Sequence, residues 1–153
     1  MAQISWLNGR QICNQACKMK QFKHNMEDTN KKINNILKLS PIERYKYFIR
    51  KISDFEEVWG LYNDGWAMTK SNDKVNSIIF WPEKIFAEKC INDEWKNYIP
   101  KAITLDTFIE KWLPGMNSDG LDVAIFYTLE NKGIIIKPLD LRDDIKAELD
   151  QYD

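Results

Sequence analysis

The side chains that could do chemistry in this sequence are few, and none forms a recognised catalytic set. His24 is the only histidine and lies in a segment without aspartate or glutamate, so a Ser-His-Asp or Cys-His mechanism is not expected. No phosphate-binding glycine loop, zinc-protease helix or calcium loop occurs in the sequence. Cys90 could act as a nucleophile, but it lies four residues after Phe86 on the apolar side of a predicted helix, which favours a buried structural thiol.

The cysteines also do not predict a metal site. Cys13 and Cys17 are four residues apart and would share one helix face, but a metal needs more ligands and His24 alone does not complete the set. Three cysteines without a CxxC pair do not form a disulfide framework, and reduced thiols in a cytoplasm are the simplest interpretation. We therefore predict no metal, no cofactor and a cytoplasmic protein.

Carboxylates are the remaining groups with chemical potential. The adjacent pairs each fit a solvated helix end or face. These pairs are Glu56-Glu57, Asp93-Glu94 and Asp143-Asp144. The C-terminal segment LDLRDDIKAELDQYD has six acids against one arginine and one lysine. It is either an ordinary solvated helix face or an acidic surface for a basic partner, with Asp143, Asp144 and Glu148 as contacts.

The stretch WGLYNDGW, residues 59–66, places two indoles around an Asp-Gly turn, a strong hairpin signal. In a two-residue turn, alternate strand positions would put four large side chains on one face. These are Trp59, Leu61, Trp66 and Met68. Gly60 would lie on the opposite face, where a glycine often marks a close approach.

Most of this aromatic surface is expected to be core, but the turn itself is a candidate recognition edge. Tryptophan and tyrosine are concentrated in binding hot spots. Trp66, beside Tyr62 and Asp64, is therefore our best candidate for a partly exposed contact with a partner or ligand.

Composition places the chain among ordinary globular proteins. The 153 residues are 44% hydrophobic and 29% charged, which is enough for one domain with a substantial core. No apolar run approaches the length of a membrane span. The net charge of -1 gives nucleic acid no general electrostatic reason to bind.

Charge divides the chain unevenly. Residues 1–26 contain four of the 22 basic side chains and none of the 23 acids, so residues 27–153 carry 18 bases against 23 acids, a net of -5. We predict a basic N-terminal extension or arm over residues 1–26 and a single domain over residues 27–153. A transit peptide is the alternative interpretation of the first segment.

Hydrophobic periodicity predicts an α+β fold. Helices are expected over 27–39, from Pro41 after a Ser40 capping box, over 82–90, from Thr104 to Pro114-Gly115, and from 139 onwards. Strands are expected at VWGLY, WAMT, SIIFW, DVAIFY and GIIIK. We therefore predict an antiparallel sheet of about five strands, built from two hairpins and packed with several amphipathic helices.

In the helix after Ser40, the apolar residues are expected to face the core. They are Ile42, Tyr45, Phe48, Ile49 and Ile52. The basic residues of this helix are expected to face elsewhere. They are Arg44, Lys46, Arg50 and Lys51.

Several of these segments resemble the bacterial family catalogued as domain of unknown function 2750. The resemblance covers about Glu27 to Tyr152, and its most specific parts are VWGLY, the FWP strand end, and the helix from Ile103 to Pro114. The resemblance supplies no catalytic residues. It implies a small intracellular bacterial protein without an assigned activity.

Three hypotheses of function remain open. The first is a non-enzymatic protein-binding module, such as an immunity protein that neutralises a basic toxin. The second is a small-ligand-binding protein or enzyme with a pocket lined by Trp59, Tyr62 and Trp66 and anchored by Asp64 or Glu83. The third is a protein that oligomerises through its basic arm. The oligomeric state itself is not predicted.

Overall fold

The structure is a computed structural model that describes residues 25–70, 74–92, 94–130 and 133–151. The chain divides into two compact units, residues 1–38 and residues 39–153. In the first unit, residues 25–37 form helix α1, close to the predicted span of 27–39, and Ile33 and Ile36 are buried. The predicted basic arm lies almost entirely outside the described residues.

The second unit begins with helix α2, Pro41–Phe55. Its start is as predicted, because the Ser40 hydroxyl accepts a hydrogen bond from the Glu43 backbone N–H at 3.3 Å and Pro41 occupies the first turn. Phe48 and Ile52 are fully buried.

Two positions of α2 differ from the prediction. Ile42 is 60% exposed, whereas Arg44 is only 3% exposed. The reason is geometric, since Arg44 precedes Phe48 by one helical turn and lies on the same row of side chains as Phe48 and Ile52. Arg44 was predicted to be exposed because of its charge, but its position on the helix buries it.

In the described part of the chain, six strands form two sheets. They are β1 (Glu57–Tyr62), β2 (Met68–Lys70), β3 (Asn76–Phe80), β4 (Ile99–Thr104), β5 (Asp122–Ile125) and β6 (Ile134–Ile136). β1 pairs with β4, and the other four follow the order β2-β3-β5-β6. The pairs are antiparallel except β3 with β5, which is parallel. The α+β prediction is confirmed, as is the β5–β6 hairpin.

The two sheets are joined at a pair of tryptophans. The Trp59 N–H donates to the Trp81 carbonyl at 3.0 Å, and the Trp81 N–H donates to the Trp59 carbonyl at 2.8 Å. Trp81 directly follows β3, so this exchange connects β1 to the central strand of the larger sheet.

The first hairpin differs from the two-residue turn that the sequence predicts. Tyr62, not Asn63, bridges to Trp66, and all of β1, including Tyr62, pairs with β4. Asp64 adopts a positive φ of 54°, which aspartate tolerates better than most residues. The shifted register places Trp66 on the face of Tyr62 instead of the face of Trp59, so the predicted shared face is wrong.

Helix α3, Lys84–Glu88, follows β3, and one longer helical segment follows β4. The segment consists of α4 (Leu105–Thr107), a π-helical turn (Phe108–Trp112) and α5 (Leu113–Ser118). Thr104 caps it as predicted. The predicted end at Pro114-Gly115 is wrong: the Leu113 N–H donates to the Phe108 carbonyl, five residues back. Pro114 then stands in the first turn of a new α-helix, where its missing N–H is tolerated.

The last helix, α6, spans Pro138–Asp150 and packs against α2 and α5. Leu141 and Ile145 are fully buried. Of the helices in the described residues, none has the length and apolar character needed to cross a membrane.

Candidate functional site

The central feature of the predicted recognition edge is a cluster of three half-buried rings, Tyr62, Trp66 and Trp112, here called the aromatic patch. The ring centroids of Tyr62 and Trp66 are 5.1 Å apart, and those of Trp66 and Trp112 are 4.8 Å apart. Both pairs meet edge to face, a favourable arrangement for aromatic quadrupoles. The π-helical turn contributes Trp112, and the first turn after β1 contributes Trp66.

Gly60 makes room for this cluster. A Cβ atom built on Gly60 would lie 2.8 Å from Cε3 and 2.9 Å from Cζ3 of Trp66. The indole therefore lies flat over a backbone position that admits no side chain. The close approach that the sequence suggested at Gly60 is confirmed.

The patch is fixed to the core and open at its margin. The Trp112 ring contacts the fully buried Phe80 ring of β3, with centroids 5.9 Å apart. Ile99, which pairs with Tyr62 across the β1–β4 ladder, is 58% exposed. The Lys101 ammonium lies 4.3 Å from the centre of the Tyr62 ring, a cation–π contact. A rigid aromatic base thus carries an exposed apolar residue and a cation at its edge.

The structure does not bring together the pocket that the second hypothesis requires. Trp59 lies on the opposite face of β1 from Tyr62 and Trp66, because side chains alternate along a strand. Asp64 is exposed on the turn, while Glu83 accepts a hydrogen bond from the Tyr47 hydroxyl at 3.3 Å. Tyr62 and Trp66 therefore lie together beside the Asp64 turn, while Trp59 is not on their face.

The three predicted acidic contacts lie on α6 but in different surroundings. Asp143 is exposed, Glu148 is half-buried, and Asp144 accepts a hydrogen bond from the Tyr45 hydroxyl of α2. Asp144 thus holds two helices together, and Asp143 is the acid of the three most available to a partner. Burial, reinforced by the Asp144 contact, raises the pKa of Tyr45 above its ordinary value.

A second cluster, which the sequence did not reveal, surrounds the segment after β5. Phe126 is fully buried with a positive φ of 59°, a strained conformation for a bulky residue. Its ring lies 4.8 Å from that of Phe86 and 6.2 Å from that of Tyr47, and the Arg44 guanidinium carbon lies 5.9 Å from its centre. The sequence feature that could have revealed this cluster is the four-residue spacing of Arg44 and Phe48, which places both on one side of α2.

Cys90 is part of the packing beside this cluster. It is 2% exposed, and its thiol donates to the Tyr127 carbonyl at 3.3 Å. Burial raises the pKa of Cys90 to about 11, so it is a thiol and not a thiolate at neutral pH. The predicted buried structural cysteine is confirmed. Among the described residues, no group of three or more His, Cys, Asp or Glu side chains could hold a metal ion.

A comparison with protein families shows which family the chain belongs to. The model of the family described as "Protein of unknown function (DUF2750)" matches residues 45–145. This chain belongs to that family. The match includes the whole aromatic patch and the Phe126 segment, and it begins one residue after Arg44. No curated protein and no solved structure matches the chain.

The contact between Gly60 and Trp66 predicts a measurable difference between two glycine substitutions. Gly60→Ala should displace the Trp66 indole and lower the free energy of unfolding by about 1–3 kcal/mol, because the added methyl group overlaps the ring. Gly65→Ala is the matched control, since no atom lies within 4 Å of its Cβ position. Urea unfolding followed by tryptophan fluorescence measures both. Equal losses in the two variants would contradict the close packing.

The Tyr45–Asp144 contact predicts a specific dependence on pH. Burial keeps the Tyr45 phenol protonated in the folded chain above pH 10, the pKa at which it ionises when unfolded, so stability should fall as pH rises beyond that value. Tyr45→Phe should be less stable than wild type at pH 7 by about 1 kcal/mol, through loss of a hydrogen bond to a carboxylate. The difference should shrink above pH 10.

Chemical unfolding across this pH range gives the test. Tyr98→Phe is the control, because the Tyr98 hydroxyl makes no hydrogen bond within the described part of the chain. A gap between wild type and Tyr45→Phe that stays constant from pH 7 to pH 11 would show that the contact does not titrate as described.

Proposed function

We propose that this protein is a non-enzymatic protein-binding module whose contact surface is centred on the aromatic patch. The observation that supports this most is the combination of three interlocked, half-buried rings with Ile99, 58% exposed, at their margin. Aromatic anchors beside exposed aliphatic side chains are the composition of binding hot spots.

The packing of the patch favours recognition for a thermodynamic reason. Trp66 is held over Gly60 and against Trp112, and Trp112 rests on Phe80. Rings that are already fixed lose little conformational entropy when a partner covers them. Lys101 is placed at the rim, where a polar group can pair with the partner without being fully buried.

The charge of α6 supports a partner with a basic surface. Within Pro138–Asp150 there are five acids against Arg142 and Lys146, a net of -3. An acidic helix accelerates the approach of a positively charged partner, with a strength that falls as salt rises. The form of the proposal that this charge favours is an immunity protein that neutralises a basic toxin in the cytoplasm.

The experiment that tests this function compares three tagged forms of the chain, purified from the cell that produces it. Wild type should recover one stoichiometric partner, and Ile99→Lys should lose it, because a charge would be buried against the partner's apolar contact. Leu129→Lys is the matched control, since Leu129 is an equally exposed aliphatic residue, 61%, outside the patch. It should retain the partner.

Measurements with the purified partner separate the two parts of the surface. Ile99→Lys should weaken affinity at least about tenfold by faster dissociation, whereas Asp143→Lys should slow association at low salt only. Asp144 is left unchanged because it bonds to Tyr45. A partner that binds wild type and Ile99→Lys equally would remove the aromatic patch from the interface. Recovery of the chain alone, in cells that express it, would contradict the binding-module proposal.

A further inference from the structure

Arg44 is an unusual residue in the second unit because its charged group is buried without an acid. The side chain is 3% exposed, and Nη1 donates to the Leu39 carbonyl at 2.6 Å. Within the described ranges, neither Nε nor Nη2 has a hydrogen-bond acceptor, and the ion pairs do not include Arg44. Two N–H-bearing atoms of a buried cation are thus left unpaired.

This arrangement is energetically unfavourable unless something binds there. A buried donor without an acceptor loses its hydration without compensation, and a buried charge loses more. Burial lowers the pKa of Arg44, but arginine remains protonated throughout the physiological range. The positive charge therefore remains inside the protein, where a bound anion would stabilise it.

The identity of the two unpaired atoms defines the shape of the missing acceptor. Nε and Nη2 carry N–H groups that point in parallel from one edge of the planar guanidinium, while Nη1 is already used by Leu39. Two parallel N–H groups match the two oxygens of a carboxylate. The hydrogen bond from Nη1 thus fixes the guanidinium, while the edge formed by Nε and Nη2 makes no hydrogen bond.

The position of Arg44 in the fold is consistent with a ligand site. Phe126, under the guanidinium, directly follows β5, and β5 is parallel to β3. Ligands of open sheets with parallel strands bind beyond the carboxyl ends of those strands. The strained φ of Phe126 turns the chain at this point and presents its ring to Arg44.

We infer that Arg44 binds a small monocarboxylate, whose two oxygens accept hydrogen bonds from Nε and Nη2 at the carboxyl end of the β3–β5 pair. One guanidinium balances one negative charge, which favours a carboxylate over a phosphate that carries nearly two. The Phe126 ring beside the guanidinium packs against the rings of Phe86 and Tyr47, so the surroundings of Arg44 on this side are aromatic. This site is separate from the aromatic patch, and the inference does not depend on the proposed function.

The test measures binding of formate, acetate and propionate to the full chain by calorimetry, with thermal unfolding alongside. Sodium chloride at equal ionic strength and inorganic phosphate are the comparison anions. Wild type should bind a carboxylate at one saturable site, with a matching rise in unfolding temperature. Chloride and phosphate should give no saturable binding.

Three variants locate the site. Arg44→Met should abolish binding, and Arg44→Lys, which keeps a cation but lacks the fork, should weaken it roughly tenfold or more. Arg50→Met is the matched control on the exposed side of α2 and should bind like wild type. Arg44→Lys also keeps the test valid if the methionine variant does not fold.

Four results would overturn the inference. Three concern binding: the absence of saturable carboxylate binding to wild type, equal binding to wild type and Arg44→Lys, and tighter binding of phosphate than of any carboxylate. The fourth is greater stability of Arg44→Met than of wild type in every anion, which would make the guanidinium a buried charge without a ligand. None of these results bears on recovery of a protein partner, so failure here is distinguishable from failure of the proposed function.

Discussion

The hydrogen-bonded pair of Trp59 and Trp81 is the constraint on which the second unit depends. Its two backbone bonds join the β1–β4 ladder to the four-stranded sheet. The Trp81 indole N–H also donates to the Tyr127 carbonyl at 2.8 Å, and the whole side chain is buried. One residue therefore connects β1, the end of β3 and the segment after β5. Breaking these contacts would leave the backbone groups of Trp59 and Trp81 and the Trp81 indole N–H to be satisfied elsewhere.

Both candidate surfaces originate from this junction. Gly60 is next to Trp59 in β1. The Trp59–Trp81 bridge therefore fixes the backbone against which the Trp66 indole packs. Phe80, the last residue of β3, supports Trp112 from below. Beyond β5, the strained Phe126 donates its backbone N–H to the Phe80 carbonyl at 3.0 Å and lies under Arg44. Phe80 therefore supports the aromatic patch through its ring and the Phe126 segment beside Arg44 through its carbonyl.

Local patterns predicted the elements of this fold well and their long-range pairing less well. The Ser40 cap, the β3 strand and the start of α6 depend on residues close in sequence, so they could be predicted directly. The partner of β1 could not, because no strand was predicted at β4, which lies some forty residues later. The turn is one residue longer than expected. This places Trp66 on the other face, because a shift of one residue in strand register reverses the direction of every side chain.

In the candidate site, too, features that depend on local sequence were predicted and those that depend on distant contacts were not. Tyr62 and Trp66 were identified because residue type and turn chemistry mark them, whereas Trp112 was not singled out as a contact residue. Arg44 was missed since charge is normally evidence of exposure. Its burial depends on Leu39 and on Phe126, which lies 82 residues further along the chain (126 − 44). Contacts of that separation are a property of the fold and not of any segment.

The central claim, that the aromatic patch is a protein-binding surface, is tested most directly by hydrogen exchange. Amide exchange of the free chain would be compared with that of the chain bound to its co-purified partner. The account predicts protection concentrated in residues 60–68 and 99–104, with smaller changes in α6. Unchanged exchange in those two segments, with protection elsewhere in the chain, would contradict it.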